Sequence, residues 1–219
     1  MHFQLLSALF FSGLAVAGPV ACRQAPTPTP SAAPPAGSAG TTSSSGVDLA
    51  KAIAAVMPSA NSCSGADFPD ECRTAEQAAP FISKACADLS NGECAATVAV
   101  MGLESGDLKF KHNVSPGRPG QGTANMMQID FITKYATDLF GAGKVSGKAP
   151  NDILALVTPD ATNFGSAAWF LKTQCPNVRD TLKAGTDQGW LAFNECIGVS
   201  GASGDRMAYW TRAKQAFNL

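Results

Sequence analysis

One carboxylate in this 219-residue chain stands where a proton donor could work: Glu104, at the end of the run Cys94-Ala-Ala-Thr-Val-Ala-Val-Met-Gly-Leu and just before Ser105-Gly106. The run has almost no polar face, the pattern of a helix buried on most sides. Glu104 therefore belongs at the rim of a core. Partial burial and the carbonyl end of a helix stopping at Gly106 both disfavour the charged carboxylate, and a protonated carboxyl is what general-acid catalysis requires. The bland alternative is a helix-end glutamate, solvated or paired with Lys109 or Lys111.

Two further carboxylates are near enough in sequence to assist. Asp107 lies three residues on, and Asp130 follows the segment Thr123-Ala-Asn-Met-Met-Gln-Ile. Either could position a water, although Asp130 is also a natural N-cap for the segment after it. In that same segment Met127 and Gln128 are candidates for the wall of a site. Asn163, early in a helix, suits holding a neighbouring loop, and Asn194, mid-helix between Phe193 and Cys196, must face a partner or a cleft. His112 has no mature partner histidine, since His2 lies in the leader. Metal and Ser-His-Asp chemistry are therefore not expected, and no cofactor is implied.

The elements that must position these groups read as helices. Val47–Met57 is apolar-rich. Thr74-Ala-Glu-Gln77 is a capping box opening a helix to about Leu89, and Asn91-Gly92 turns the chain into the Glu104 helix. Beyond a loop from Lys109 to Thr123 come Asp130–Phe140, Pro150–Val157, a longer helix from Thr158-Pro159-Asp160 to about Gln174, then Pro176–Ala184, Thr186–Cys196 and Ser203–Phe217. Alternating strand patterns are nearly absent. The expected fold is all-α, with at most a small hairpin in the Lys109–Thr123 loop.

Residues 1–17 have the apolar core and small-residue end, Ala15-Val-Ala17, of a signal peptide. Residues 18–46, rich in Pro, Ser, Thr and Gly, read as an extended linker, which leaves 47–219 as one folded domain. Of seven cysteines, Cys22 precedes that domain. The short spacings of the others favour Cys63 with Cys72 and Cys86 with Cys94, leaving Cys175 with Cys196, in an oxidising compartment. Secretion is the expected localisation. With 16 Lys and Arg against 17 Asp and Glu and no basic run, nucleic acid and anionic membranes are not expected partners, and a monomer is expected.

Four blocks occur in an order that resembles the lytic transglycosylase and goose-type lysozyme superfamily. They are Glu104-Ser105, Asn125-Met-Met-Gln128, Asn163-Phe-Gly-Ser-Ala-Ala-Trp-Phe-Leu171 and Ala192-Phe-Asn194. The resemblance implies a lysozyme-like domain and a secreted muramidase cleaving the β-1,4 bond after N-acetylmuramic acid, with peptidoglycan or a related amino-sugar polymer as partner. By that likeness Glu104 is the general acid, and Ser105, Met127, Gln128, Asn163 and Asn194 are substrate-side groups. Chitin or chitosan hydrolysis and a non-catalytic wall-binding effector are the alternatives, and hydrolysis and transglycosylation are not separated. The chain departs from the family at Asn125, at Ala167, at Glu195-Cys196 and above all at Phe193, where a tyrosine hydroxyl is expected to support the acid. No second carboxylate is obvious, which is unusual for glycosidic cleavage.

Overall fold

The structure is a computed structural model and describes residues 47–219. The leader and linker assignments, and Cys22, fall outside the described residues. Eleven α-helices follow one another among the described residues, and no strand does. The expected all-α single domain is the fold found.

The centre is α3, Asn91–Glu104, in which every residue from Gly92 to Gly102 is buried. Its start is fixed by a capping box. Ser90 accepts from the Glu93 amide, and Glu93 accepts from the Ser90 amide. Glu93, 1% exposed, is also held by Arg179 at 2.6 Å, so the one charge on the buried part of α3 has a partner. Around α3 pack α1 (Leu49–Val56), α8 (Ser166–Thr173), α9 (Arg179–Lys183) and α11 (Gly204–Ala216). Two glycines set how closely they come. A Cβ on Gly92 would lie 2.4 Å from the Leu182 carbonyl oxygen in α9, and one on Gly102 would lie 2.7 Å from the ring of Tyr209 in α11.

The other helices are α2 (Ala75–Ala85), α4 (Ile129–Phe140), α5 (Ala142–Val145), α6 (Pro150–Val157), α7 (Asp160–Asn163) and α10 (Asp187–Cys196). The capping box at Thr74 is formed as expected. The single helix expected from Asp160 to Gln174 is instead two, because the chain turns at Phe164-Gly165 and α8 restarts at Ser166. Pro176–Ala184 likewise begins as a 3₁₀ turn, Pro176–Val178. The small hairpin is reduced to isolated bridges of Gly122 with His112 and with Met127. Trp190 and Trp210, both fully buried, stack with centroids 5.2 Å apart and join α10 to α11.

The bridges are Cys63–Cys72, Cys86–Cys94 and Cys175–Cys196, the pairing favoured by spacing. No helix among the described residues is long and apolar enough to cross a membrane.

Residues 63–73 are tied back to the loop after α3 by charge. Glu71 accepts from the Lys111 amide at 2.7 Å and meets His112 at 2.6 Å. Asp160 receives Arg73 at 2.8 Å and Lys111 at 2.6 Å. Burial alone would push the Asp160 carboxyl up, but the two cations outweigh it and hold the group below the ordinary carboxylate range. A depressed folded-state value means that the stabilisation is present above about pH 4 and is lost as pH falls through the folded value.

Two outcomes are expected. Gly92→Ala should lower the unfolding free energy by about 1–3 kcal/mol in urea titrations, because backbone of α9 must move to admit the methyl group. The acid limb of a stability-versus-pH curve, measured below about pH 4, should be shallower in Asp160→Asn than in the parent protein.

Candidate functional site

At its carboxyl end α3 runs into a cleft with a cavity volume of about 260 Å³. The helix exit is unusual. Gly106, Asp107 and Leu108 are all left-handed, at φ 61°, 59° and 64°. For a non-glycine residue that conformation costs roughly 1–2 kcal/mol, and local bonds offset it. Ser105 Oγ accepts from the Leu108 amide at 2.8 Å, and the Asp107 carboxylate takes the Tyr209 hydroxyl at 2.6 Å and the Ser59 amide at 2.9 Å. Burial, then the hydrogen bond to Asp107 and that group's charge, push the Tyr209 phenol well above its usual range, so it stays a donor to Asp107. The exit holds the end of α3 in place and keeps Glu104 at the edge of the cleft.

Glu104 is not isolated there. The Arg206 guanidinium, from the first turn of α11, donates to its carboxylate. A second nitrogen of Arg206 donates to Asn194 Oδ1 at 3.2 Å, and Asn194, fully buried, donates in turn to the Trp190 carbonyl at 2.8 Å. A carbonyl of α10 thus orients an amide, the amide a guanidinium, and the guanidinium the carboxylate. Lys111, one of the two lysines considered as its partner from sequence, is bound to Asp160 instead.

The cleft has two kinds of wall. One is apolar, formed by Val100, Phe131, Phe170, Phe193, Ile197 and Val199, with Met127 and Ala167. The other carries Glu104, Arg206, Arg118, Gln121, Asn125 and Gln128. Asn125 Oδ1 is fixed by the Ser166 hydroxyl at 2.5 Å, which joins the Thr123–Gln128 segment to the start of α8.

The structure brings Glu104, Met127 and Gln128 to one cleft and places Asn194 behind it, touching Arg206. It does not bring the other sequence candidates there. Asp107 is committed to Tyr209 and Ser59. Asp130 is exposed in the first turn of α4, and even its expected capping role is not taken, since Gln128 occupies the N-cap position. Ser105 is fully buried and bonded to the Met101 carbonyl and the Leu108 amide. Asn163 is buried at the end of α7. Sequence reasoning missed Arg206, Arg118 and Gln121. Nothing local in Ser203-Gly-Asp-Arg206 places that arginine beside a carboxylate 102 residues earlier.

Comparison with known proteins adds one likeness. No protein-family model matches the chain, and no solved structure matches it. A bifunctional dioxygenase (DOX)-epoxy alcohol synthase (EAS) of Fusarium oxysporum (strain Fo5176) is 41% identical over 158 residues. The similarity takes in 65% of this chain and 12% of that protein. The chain therefore spans only a small part of the relative's length.

This finding overturns the muramidase expectation. The relative is named for oxidative chemistry, so a glycosidase acting on peptidoglycan, chitin or chitosan, or an effector binding such walls, is withdrawn as the reading. The site geometry offers physical reasons as well. Phe193 gives the carboxyl no hydroxyl, the support comes from a guanidinium, and neither Asp107 nor Asp130 reaches the cleft as a second carboxylate.

The Glu104–Arg206 pair should register as coupling. A double-mutant cycle of Glu104→Gln and Arg206→Met, read by urea denaturation, is expected to give an interaction energy of about 1–3 kcal/mol. Asp130→Asn, on the exposed face of α4, should stay within about 0.5 kcal/mol of the parent.

Proposed function

We propose that the cleft binds an amphipathic oxygenated small molecule, of the kind made or consumed in the chemistry for which the Fusarium relative is named. An epoxy alcohol carries a hydroxyl, an ether oxygen and a hydrocarbon part. The hydroxyl can donate to Glu104, the ether oxygen can accept from Arg206, and the hydrocarbon can lie on Phe131, Phe170, Phe193 and Ile197. The observation that carries the reading is this adjacency of a fixed carboxylate–guanidinium pair to a continuous apolar wall. The identity to the relative supports the substrate class.

The binding role is proposed to operate outside the cell. Three disulfides and the signal-like residues 1–17 support that placement. The four-block likeness to the lytic transglycosylase superfamily is retained only as a proposal about descent of the helical scaffold, separate from activity.

Calorimetric titration of the full chain with epoxydecanol and with decanol tests the reading. Epoxydecanol should bind saturably and more tightly than decanol, Phe131→Asp should weaken both at least about tenfold, and Arg206→Met should remove the advantage of the epoxide. Absence of saturable epoxydecanol binding, or binding indifferent to both substitutions, would overturn it.

A further inference from the structure

The charge of the cleft does not balance. Its lining holds one anion, Glu104, and two cations, Arg206 and Arg118. Arg206 is consumed by Glu104. Arg118 is left over: it is exposed, and its guanidinium has no hydrogen-bond or ion-pair partner among the described residues. A second, uncharged deficit sits beside it. Gln121 donates through Nε2 to the Met126 carbonyl at 3.0 Å, while its Oε1 is buried without any partner. A buried acceptor left unmade is costly, and a ligand donor would remove that cost.

The two deficits are built close together. Arg118 and Gln121 are the ends of one turn, closed by the Gln121 amide donating to the Arg118 carbonyl at 3.2 Å. The turn is braced from outside. Asn113 Oδ1 accepts from the amides of Gly117 at 2.9 Å and Arg118 at 3.2 Å, and Asn151 Oδ1 accepts from the Gly120 amide at 2.8 Å. Both side chains line the cleft and also two further depressions. An unmatched cation and an unmatched acceptor on one rigid turn ask for a ligand with an anion and a hydrogen-bond donor a few bonds apart.

We infer that the preferred ligand of the cleft is a hydroxy acid with an apolar tail, its carboxylate taken by Arg118 and its hydroxyl donating to Gln121 Oε1. This rests on the amphiphile-binding reading above and names the head group. Glu104 and Arg206 then serve oxygen functions further along the chain, and the carboxylate stays at the mouth, where an exposed guanidinium contributes modestly and screening by salt is strong.

The test compares β-hydroxydecanoic acid, its methyl ester and decanoic acid by calorimetry on the full chain at neutral pH. The hydroxy acid should bind about fivefold more tightly than the ester and about fivefold more tightly than decanoic acid. Arg118→Gln, at an exposed position, should abolish the acid-over-ester ratio and keep the hydroxyl ratio. Gln121→Met should do the reverse. Raising the salt concentration should shrink only the acid-over-ester ratio. Equal binding of acid and ester to the parent protein overturns the assignment of Arg118, and equal binding of the hydroxy acid and decanoic acid overturns that of Gln121; these comparisons in the parent protein decide even where a variant fails to fold. If epoxydecanol binds while the acid shows neither advantage, the head-group inference alone falls. If epoxydecanol itself does not bind saturably, the cleft reading falls, and the head-group inference that rests on it falls too.

Discussion

A helix buried on every side tolerates charge only where another element supplies a counter-charge, and α3 obeys this at both ends. Glu93 at its start is closed into a capping box and met by Arg179. Glu104 at its end is met by Arg206. Desolvating an unpaired carboxylate would cost far more than packing Ala and Val along the rest of the helix could return. The two arginines come from α9 and α11, so satisfying α3 dictates where those helices lie. The cleft is the side on which this arrangement stays open.

That origin explains the cleft's character. Three of the groups on its polar side are spoken for by the fold: Glu104 and Arg206 by each other, with Asn194 behind, and Asn125 by Ser166. Such pre-bonded groups are held in position before a ligand arrives, which lowers the ordering cost of binding. The apolar side comes from α4, α8 and α10, whose aromatic residues belong to the core as much as to the surface, with Phe170 and Phe193 buried. Recognition and folding therefore use the same side chains.

Much of the fold was legible because its signals are local. The capping box at Thr74, the apolar run before Glu104 and the short cysteine spacings each involve residues within a turn or a short loop, and each appears as read. The break at Phe164-Gly165 was not legible. The segment on either side is helix-forming, and the turn is set by packing, with Tyr135 bonded to the Thr162 carbonyl and Phe164 buried beside Phe81. The site was legible only in part for the same reason. Glu104, Met127 and Gln128 were found through their own neighbourhoods. Arg206 acts across the whole fold, and Phe193 said only what was missing. The amino-sugar expectation rested on four short blocks and their order, and even a shared scaffold would host unrelated chemistries.

The bridge between Cys175 and Cys196 joins the chain just after α8 to the last residue of α10. Those two helices carry Phe170, Ala167 and Phe193 into the cleft, and Ile197 and Val199 follow directly. Cys196 lies at the surface, where a reductant can reach it. The spacing of the apolar wall is thus covalently tied to the redox state of the surroundings. In a thiol-rich medium that covalent tie would be lost, and packing alone would hold α8 and α10 at the spacing of the wall.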